Sequence, residues 1–129
     1  MKSKVYLYQF LVLLFWIVIV ILLFKFISEK QVAAVFAGVG FILWPTLIFA
    51  YEWNQKPREK IYLGILAIFL VANALPLFLL RVLNWGADFS SLSLFGIPAT
   101  RFHATSNILY LLVMASCAFC FIKAKKAER

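Results

Sequence analysis

Long uninterrupted runs of hydrophobic residues dominate the chain, and short stretches that carry most of its charged residues separate them. Four of these runs reach the roughly 20 residues that an α-helix needs to cross the hydrocarbon core of a bilayer. They predict transmembrane helices at about 5–26, 31–51, 61–80 and 102–122. Because most of the connections are short, consecutive helices are expected to be antiparallel neighbours. The pattern therefore predicts an all-α membrane protein, a single domain over 1–129 built as an antiparallel bundle of four transmembrane helices.

Local signals indicate how the connections are built. Ser28 and Gln31 have the S-x-x-Q spacing of a capping box, which favours a helix start at this point. Pro57 suits the first turn of the third helix, where its missing backbone N–H costs nothing. The connection before the fourth helix is longer and apolar. We expect a short interfacial segment at about 85–97 between helices 3 and 4, with Asp88 capping a short helix there.

The composition supports lipid as the surrounding solvent. Hydrophobic residues make up 65% of the 129 residues, charged residues 14%, and the mean hydropathy is +0.97. A soluble domain is about half apolar and about a quarter charged. The net charge of +8 would favour nucleic acid in a soluble protein, but here the basic residues lie at the ends of the apolar runs. We therefore expect membrane lipids as partners and no nucleic acid.

The basic residues are distributed unequally between the two sides of the predicted bundle. The richer side has Lys2, Lys4, Lys56, Arg58, Lys60, Lys123, Lys125, Lys126 and Arg129. The poorer side has only Lys25, Lys30, Arg81 and Arg101. The positive-inside rule then places both termini and the 52–60 loop in the cytoplasm, and short loops with this bias are typical of a bacterial inner-membrane protein.

Small residues and prolines mark the predicted packing faces. The second helix has small residues four positions apart, which allow two helix backbones to approach closely. These residues are Ala33, Ala34, Ala37, Gly38 and Gly40. They favour either packing within the chain or a dimer face, and both interpretations stay open. Pro45 and Pro76 each remove one backbone hydrogen bond, and we expect them to bend their helices.

Three amides interrupt the apolar runs: Gln9, Asn73 and Asn107. An amide in hydrocarbon needs a hydrogen-bond partner. We expect Asn73 and Asn107 to lie at similar depth, face the bundle interior, and bond to each other or to the backbone freed by Pro76. On the fourth helix, residues at helical spacing form one stripe, which we predict to be mostly a packing face. The stripe consists of His103, Asn107, Tyr110, Met114, Cys117 and Phe121.

The side chains of the fourth helix that could act as metal ligands or redox groups include His103, Cys117 and Cys120. His103 and Cys117 are separated by about 21 Å along a helix, so they cannot share an ion within one chain. Cys117 and Cys120 form C-x-x-C, but neither a βαβ pattern nor a second ligand pair accompanies the motif. Free cysteine usually behaves as a small buried hydrophobe, so structural thiols are the favoured interpretation. No metal and no cofactor are expected.

Acidic residues are predicted to lie outside all four spans, with Glu52 the nearest of them, just past the second helix. A proton-coupled carrier normally keeps an ionisable side chain inside the membrane. The predicted spans contain no Asp or Glu, so they do not favour such a carrier. No Gly-rich phosphate loop, paired-carboxylate site or Ser-His-Asp arrangement is found. We therefore assign no catalytic residue and do not expect an enzyme.

Three classes of function follow, in order of preference. The first is a non-enzymatic subunit, assembly factor or scaffold of a membrane complex, with a protein partner or further copies of the chain. The second is a small homo-oligomeric transporter or channel for an anionic or lipid-like ligand. Its polar path would comprise Gln9, Asn73, Asn107 and Tyr110, with Arg81, Arg101 and His103 at the outer mouth. The third is a membrane enzyme or redox protein that depends on His103 or on the two cysteines.

Overall fold

The computed structural model of the chain describes residues 2–56, 60–86 and 91–128. Its elements are α1 (Lys2–Phe26), α2 (Lys30–Asn54), α3 (Ile61–Leu83), β1 (Ser93–Leu94), β2 (Ile97–Pro98) and α4 (Ala99–Ala127). Each of the four helices is long and apolar enough to cross a membrane. The prediction of an all-helical protein with four such helices is therefore confirmed. The roles predicted for Pro57 and Asp88 fall outside the described residues.

The helices extend beyond the apolar runs that predicted them. The polar residues at their ends are helical as well: α2 includes Asn54, whose side-chain Nδ2 also donates to the Ala50 carbonyl at 2.8 Å. The predicted capping box is wrong, because Glu29 is the N-cap of α2 and makes no side-chain cap hydrogen bond. Gln31 instead accepts a hydrogen bond from the Gly86 backbone N–H, at 3.2 Å, across to the end of α3.

The four helices form a ring in which α1 contacts α2 and α4, and α3 contacts the same two neighbours. The contact between α2 and α3 is the most extensive, and that between α1 and α2 is the sparsest of the four. Ser3 and Glu128 meet at what we term the termini end of the ring, where the Ser3 hydroxyl donates to Glu128 at 2.7 Å. Gln31 and Gly86 meet at the opposite end, here termed the hairpin end.

The connection before α4, within the predicted segment at about 85–97, contains a small antiparallel hairpin whose two strands have two residues each. Phe95 and Gly96 form its turn with φ angles of 52° and 78°. A tight hairpin turn of this kind requires positive φ at both central residues, which glycine adopts without strain and phenylalanine does not. The turn therefore projects Phe95 outward, with 93% of its surface exposed.

Buried residues from all four helices form the core, which lies along the axis of the ring. Its members include Leu13 from α1, Ile48 from α2, Leu63 and Leu70 from α3, and Val113 from α4. The small residues of α2 lie against neighbouring helices of the same chain. Ala33, Ala34 and Gly40 are buried, Gly40 lies directly against the Trp16 ring of α1, and Gly38 faces Phe78 of α3. Pro45 and Pro76 lie within α2 and α3, and both helices continue past them.

Candidate functional site

A cavity of about 330 Å³ lies between the four helices toward the hairpin end. This volume is within the range that small-molecule sites occupy. Apolar residues make most of its wall: Val20, Phe24, Ala34, Ala37, Gly38, Phe41, Ala74, Leu77 and Phe78. Its polar lining consists of Arg81, His103, Ser106 and Asn107. We term this space the hairpin-end cavity.

Small side chains explain why the helices leave space here. Ala34, Ala37 and Gly38 of α2 face Ala74 of α3 across the cavity. A methyl group or a hydrogen atom at each of these positions fills little volume, so the aromatic rings of Phe41 and neighbouring residues border the space without closing it. The same small-residue spacing that lets helix backbones approach therefore also creates the cavity.

The polar residues of the cavity come from the last turn of α3 and the first turns of α4. Arg81 is half-buried and interacts electrostatically with His103. Asn107 Nδ2 lies 3.4 Å from His103 Nε2, one helical turn away on α4. Guanidinium is always charged and presents five donors in a planar fork that matches a carboxylate or phosphate. This side of the cavity is therefore suited to an anionic group.

The structure brings together only some of the residues predicted for a polar path. Arg81, His103 and Asn107 line the hairpin-end cavity, whereas Arg101 is exposed and is not among its lining residues. The predicted pairing of Asn73 with Asn107 is wrong. Asn73 Nδ2 instead donates to Ser106 Oγ at 2.6 Å and to the Phe102 carbonyl at 2.7 Å. Asn107 lines the hairpin-end cavity between the helices and is exposed there.

The predicted stripe on α4 is buried over only part of its length. Tyr110, Met114 and Cys117 are buried and Phe121 packs against the core, but His103 and Asn107 are exposed. Hydrogen bonds of four α4 side chains tie it to its neighbours. They join Ser106 to Asn73, Tyr110 to the Leu13 carbonyl at 2.6 Å, Cys117 to Gln9 at 3.7 Å, and Cys120 to Tyr62 at 3.2 Å. Such bonds hold helices together in an apolar surrounding.

A second polar cluster, which was not predicted from the sequence, lies toward the termini end. Glu52 was predicted to lie outside the helices, yet it is inside α2 with 1% of its surface exposed. The Tyr6 hydroxyl of α1 is hydrogen-bonded to its carboxyl group. Further electrostatic interactions link this carboxyl group to Tyr51, Tyr62, Cys117 and Cys120. We term these six residues the Glu52 cluster.

Helical periodicity was the signal that could have revealed Glu52. Phe41, Pro45 and Ile48 all contact or lie within the core, and steps of four, three and four residues lead from Phe41 to Glu52. Residues at this spacing share one helix face. The apolar run ends at Tyr51, so a prediction from hydropathy alone ended the helix one residue before Glu52.

The described part of the chain contains no preformed metal-binding site. Among residues 2–56, 60–86 and 91–128, no group of three or more His, Cys, Asp or Glu side chains is arranged to hold a metal ion. Cys117 and Cys120 are free thiols, and both are buried.

The fold and its two polar clusters define an all-helical protein with four helices long and apolar enough to cross a membrane. Comparison of the chain with known protein families, with curated proteins and with solved structures finds no match.

Proposed function

We propose that the protein is an integral membrane protein, with its four helices antiparallel and its termini end in the cytoplasm. Contacts between neighbouring helices support this arrangement because they run in opposite sequence order. On α3 and α4, for example, Tyr62 meets Cys120 and Asn73 meets Ser106. The excess of Lys and Arg toward the termini supports the orientation, and the short loops favour a bacterial inner membrane.

The orientation can be tested with introduced cysteines, because both native thiols are buried. A membrane-impermeant thiol reagent should label a Phe95→Cys variant in intact spheroplasts. It should label Lys125→Cys only after the membrane is inverted or opened. The reverse pattern would contradict the proposed orientation.

We propose that this membrane protein is a non-enzymatic binding protein for an amphiphile with an anionic head group, and that it acts as a small carrier for that ligand. The observation that supports this function is the hairpin-end cavity, where Arg81, His103 and Asn107 lie beside an apolar wall. The head group of the ligand pairs with Arg81, and its apolar part lies against the wall toward Val20 and Phe41. Charge-assisted contacts between guanidinium and carboxylate or phosphate are among the strongest hydrogen bonds in proteins.

The head-group contacts decide the affinity for such a ligand. Lipid tails are as apolar as the cavity wall, so moving a hydrocarbon chain from bilayer to cavity gains little free energy. A hydrogen bond to a charged group contributes about 1.5–3 kcal/mol, which corresponds to about 10- to 150-fold in affinity. Removing the charge of Arg81 should therefore weaken binding by one to two orders of magnitude.

The experiment measures binding of a fluorescent long-chain fatty acid to the purified protein in lipid nanodiscs. The uncharged alcohol of the same chain length serves as the second probe. Arg81→Gln should bind the fatty acid about 10- to 100-fold more weakly than the wild type does. Arg101→Gln is the matched control, because it removes the same charge two residues into α4 but outside the cavity. Equal losses in both variants, or equal binding of both probes by the wild type, would contradict the proposal.

A subunit or scaffold role is the second candidate, and the exposure of α1 favours it. Only 6% of the residues in the most apolar stretch of α1 are buried, against 28–33% for the other three helices. Many α1 side chains therefore face away from the rest of this chain and are open to a partner helix. Native mass spectrometry after gentle extraction tests this role. A mixed assembly supports it, a homo-oligomer favours the carrier, and a lone monomer counts against a partner.

A further inference from the structure

The Glu52 cluster combines side chains from all four helices at the end opposite to the hairpin-end cavity. Its members are Tyr6 from α1, Tyr51 and Glu52 from α2, Tyr62 from α3, and Cys117 and Cys120 from α4. Tyr6 is almost fully buried, and both cysteines are completely buried. Tyr6, Glu52 and the two cysteines are therefore enclosed by the helices of the chain itself.

Burial of Glu52 has a physical cost that needs compensation. A carboxylate taken out of water loses several kcal/mol unless it is hydrogen-bonded, paired or protonated. Ionisable residues within membrane helices are accordingly rare and usually serve a proton or ion pathway. Tyr6 supplies a hydrogen bond to the carboxyl group. The phenol and thiol groups around it are weak acids, and each carries an exchangeable proton.

Positive charge lies at the rim of the cluster. Lys60, next to the start of α3, and Lys123 of α4 both interact electrostatically with Cys120. Tyr62 contacts Cys120 and is itself exposed, so the cluster reaches the protein surface on this side. Under the proposed orientation these residues lie near the cytoplasmic ends of the helices, where water supplies and accepts protons.

We propose that Glu52 is a proton-binding site in which the carboxyl group takes up and releases a proton while hydrogen-bonded to Tyr6. On uptake, one O–H bond forms on Glu52 and one O–H bond of a hydronium ion breaks; release reverses both changes. The titratable and charged groups that face the site are Tyr6, Tyr51, Tyr62, Cys117, Cys120, Lys60 and Lys123.

This site is separate from the ligand site proposed above. Glu52 lies 11 residues along α2 from Phe41, the lining residue of the hairpin-end cavity nearest to it on that helix, so these two residues are about 17 Å apart along the helix. Proton binding at Glu52 can therefore be measured without the amphiphile. Its failure or success does not depend on the function proposed for the cavity.

Infrared difference spectroscopy tests the proton site directly. Spectra of the protein in nanodiscs are recorded as the pH is lowered, and the C=O stretching band of a buried carboxylic acid is followed. The band should grow in the wild type and in Glu29→Gln, and it should be missing from Glu52→Gln. Glu29 is the matched control because it is an exposed N-cap at the other end of the same helix.

A second variant keeps the test valid if Glu52→Gln fails to fold. Tyr6→Phe retains the carboxyl group and removes its hydrogen-bond partner, so the C=O band should move to higher frequency and its titration midpoint should change. The proposal is overturned if no Glu52-dependent band titrates over the pH range in which the protein stays folded. It is equally overturned if Tyr6→Phe leaves the frequency and midpoint of the band unchanged.

Discussion

Substituting alanine for Gly40 tests whether the close contact between α1 and α2 determines stability. A Cβ atom built on Gly40 would overlap the indole ring of Trp16. That ring also packs edge-to-face on Trp44, with 6.0 Å between the ring centroids. Trp16 must therefore move, or the two helices must separate. Either response weakens the sparsest of the four main helix contacts.

The size of the effect follows from three contributions. Overpacking a filled interior costs about 1–3 kcal/mol. Loss of an aromatic pair adds about 0.5–1.5 kcal/mol. Replacing glycine by alanine within a helix returns about 1 kcal/mol through helix propensity. We therefore expect Gly40→Ala to lower the free energy of unfolding by about 1–3 kcal/mol.

Two other glycines of the same bundle give graded controls. A Cβ on Gly38 would lie 2.7 Å from Cδ2 of Phe78, whose ring can turn away at moderate cost. A Cβ on Gly64 would lie 3.4 Å from its nearest neighbours, close to an ordinary van der Waals contact. The expected order of destabilisation is therefore Gly40→Ala, then Gly38→Ala, then Gly64→Ala, with the last near neutral.

The assay is reversible unfolding by SDS in mixed micelles, followed by tryptophan fluorescence for the three glycine variants. For Gly40→Ala, circular dichroism provides a second probe, because the change alters the surroundings of Trp16. Adding Trp16→Leu to Gly40→Ala should recover part of the lost stability, since the smaller side chain makes room for the methyl group. The reasoning is refuted if Gly40→Ala and Gly64→Ala are equally stable, or if the double variant shows no coupling.

Three further predictions concern the other contacts of the bundle. Asn73→Leu should cost about 1–2 kcal/mol because it removes both hydrogen bonds to α4, whereas exposed Asn54→Leu should cost less in the same assay. The two thiols of α4 should react with maleimide only on unfolding; rapid labelling of the folded protein would contradict their burial. Hydrogen bonds from Ser3 lower the pKa of Glu128, so its stabilising contribution is present above the ordinary glutamate pKa and is lost as the pH falls. The stability difference between wild type and Glu128→Gln should therefore shrink in acid, and a constant difference would argue against this linkage.

The four helices could be predicted because length and hydropathy are local properties of the sequence. Each apolar run is long enough to span a bilayer whatever its neighbours are, and all four are found as helices. The ends were less predictable, since the hydropathy of Glu52 and Asn54 gave no sign that α2 continues through both. A helix can therefore continue through polar residues at its end when their backbone groups stay hydrogen-bonded.

The rotation of each helix about its axis could not be read from the sequence. Asn73 bonds to Ser106, one residue before the Asn107 that was predicted, and one residue corresponds to a rotation of about 100° around α4. Hydropathy does not fix that angle when nearly every face of a helix is apolar. Packing against the neighbouring helices fixes it instead.

The sequence by itself therefore determined the number and length of the helices, the charge asymmetry of their ends and the small residues that let them approach. Only the tertiary structure decided which side chains meet. It brings Arg81, His103 and Asn107 to one cavity, and it buries Glu52 among side chains from all four helices. The physical reason is that burial and hydrogen bonding of a side chain depend on residues distant in sequence. Glu52 and Tyr6 are 46 positions apart, and no local pattern links them.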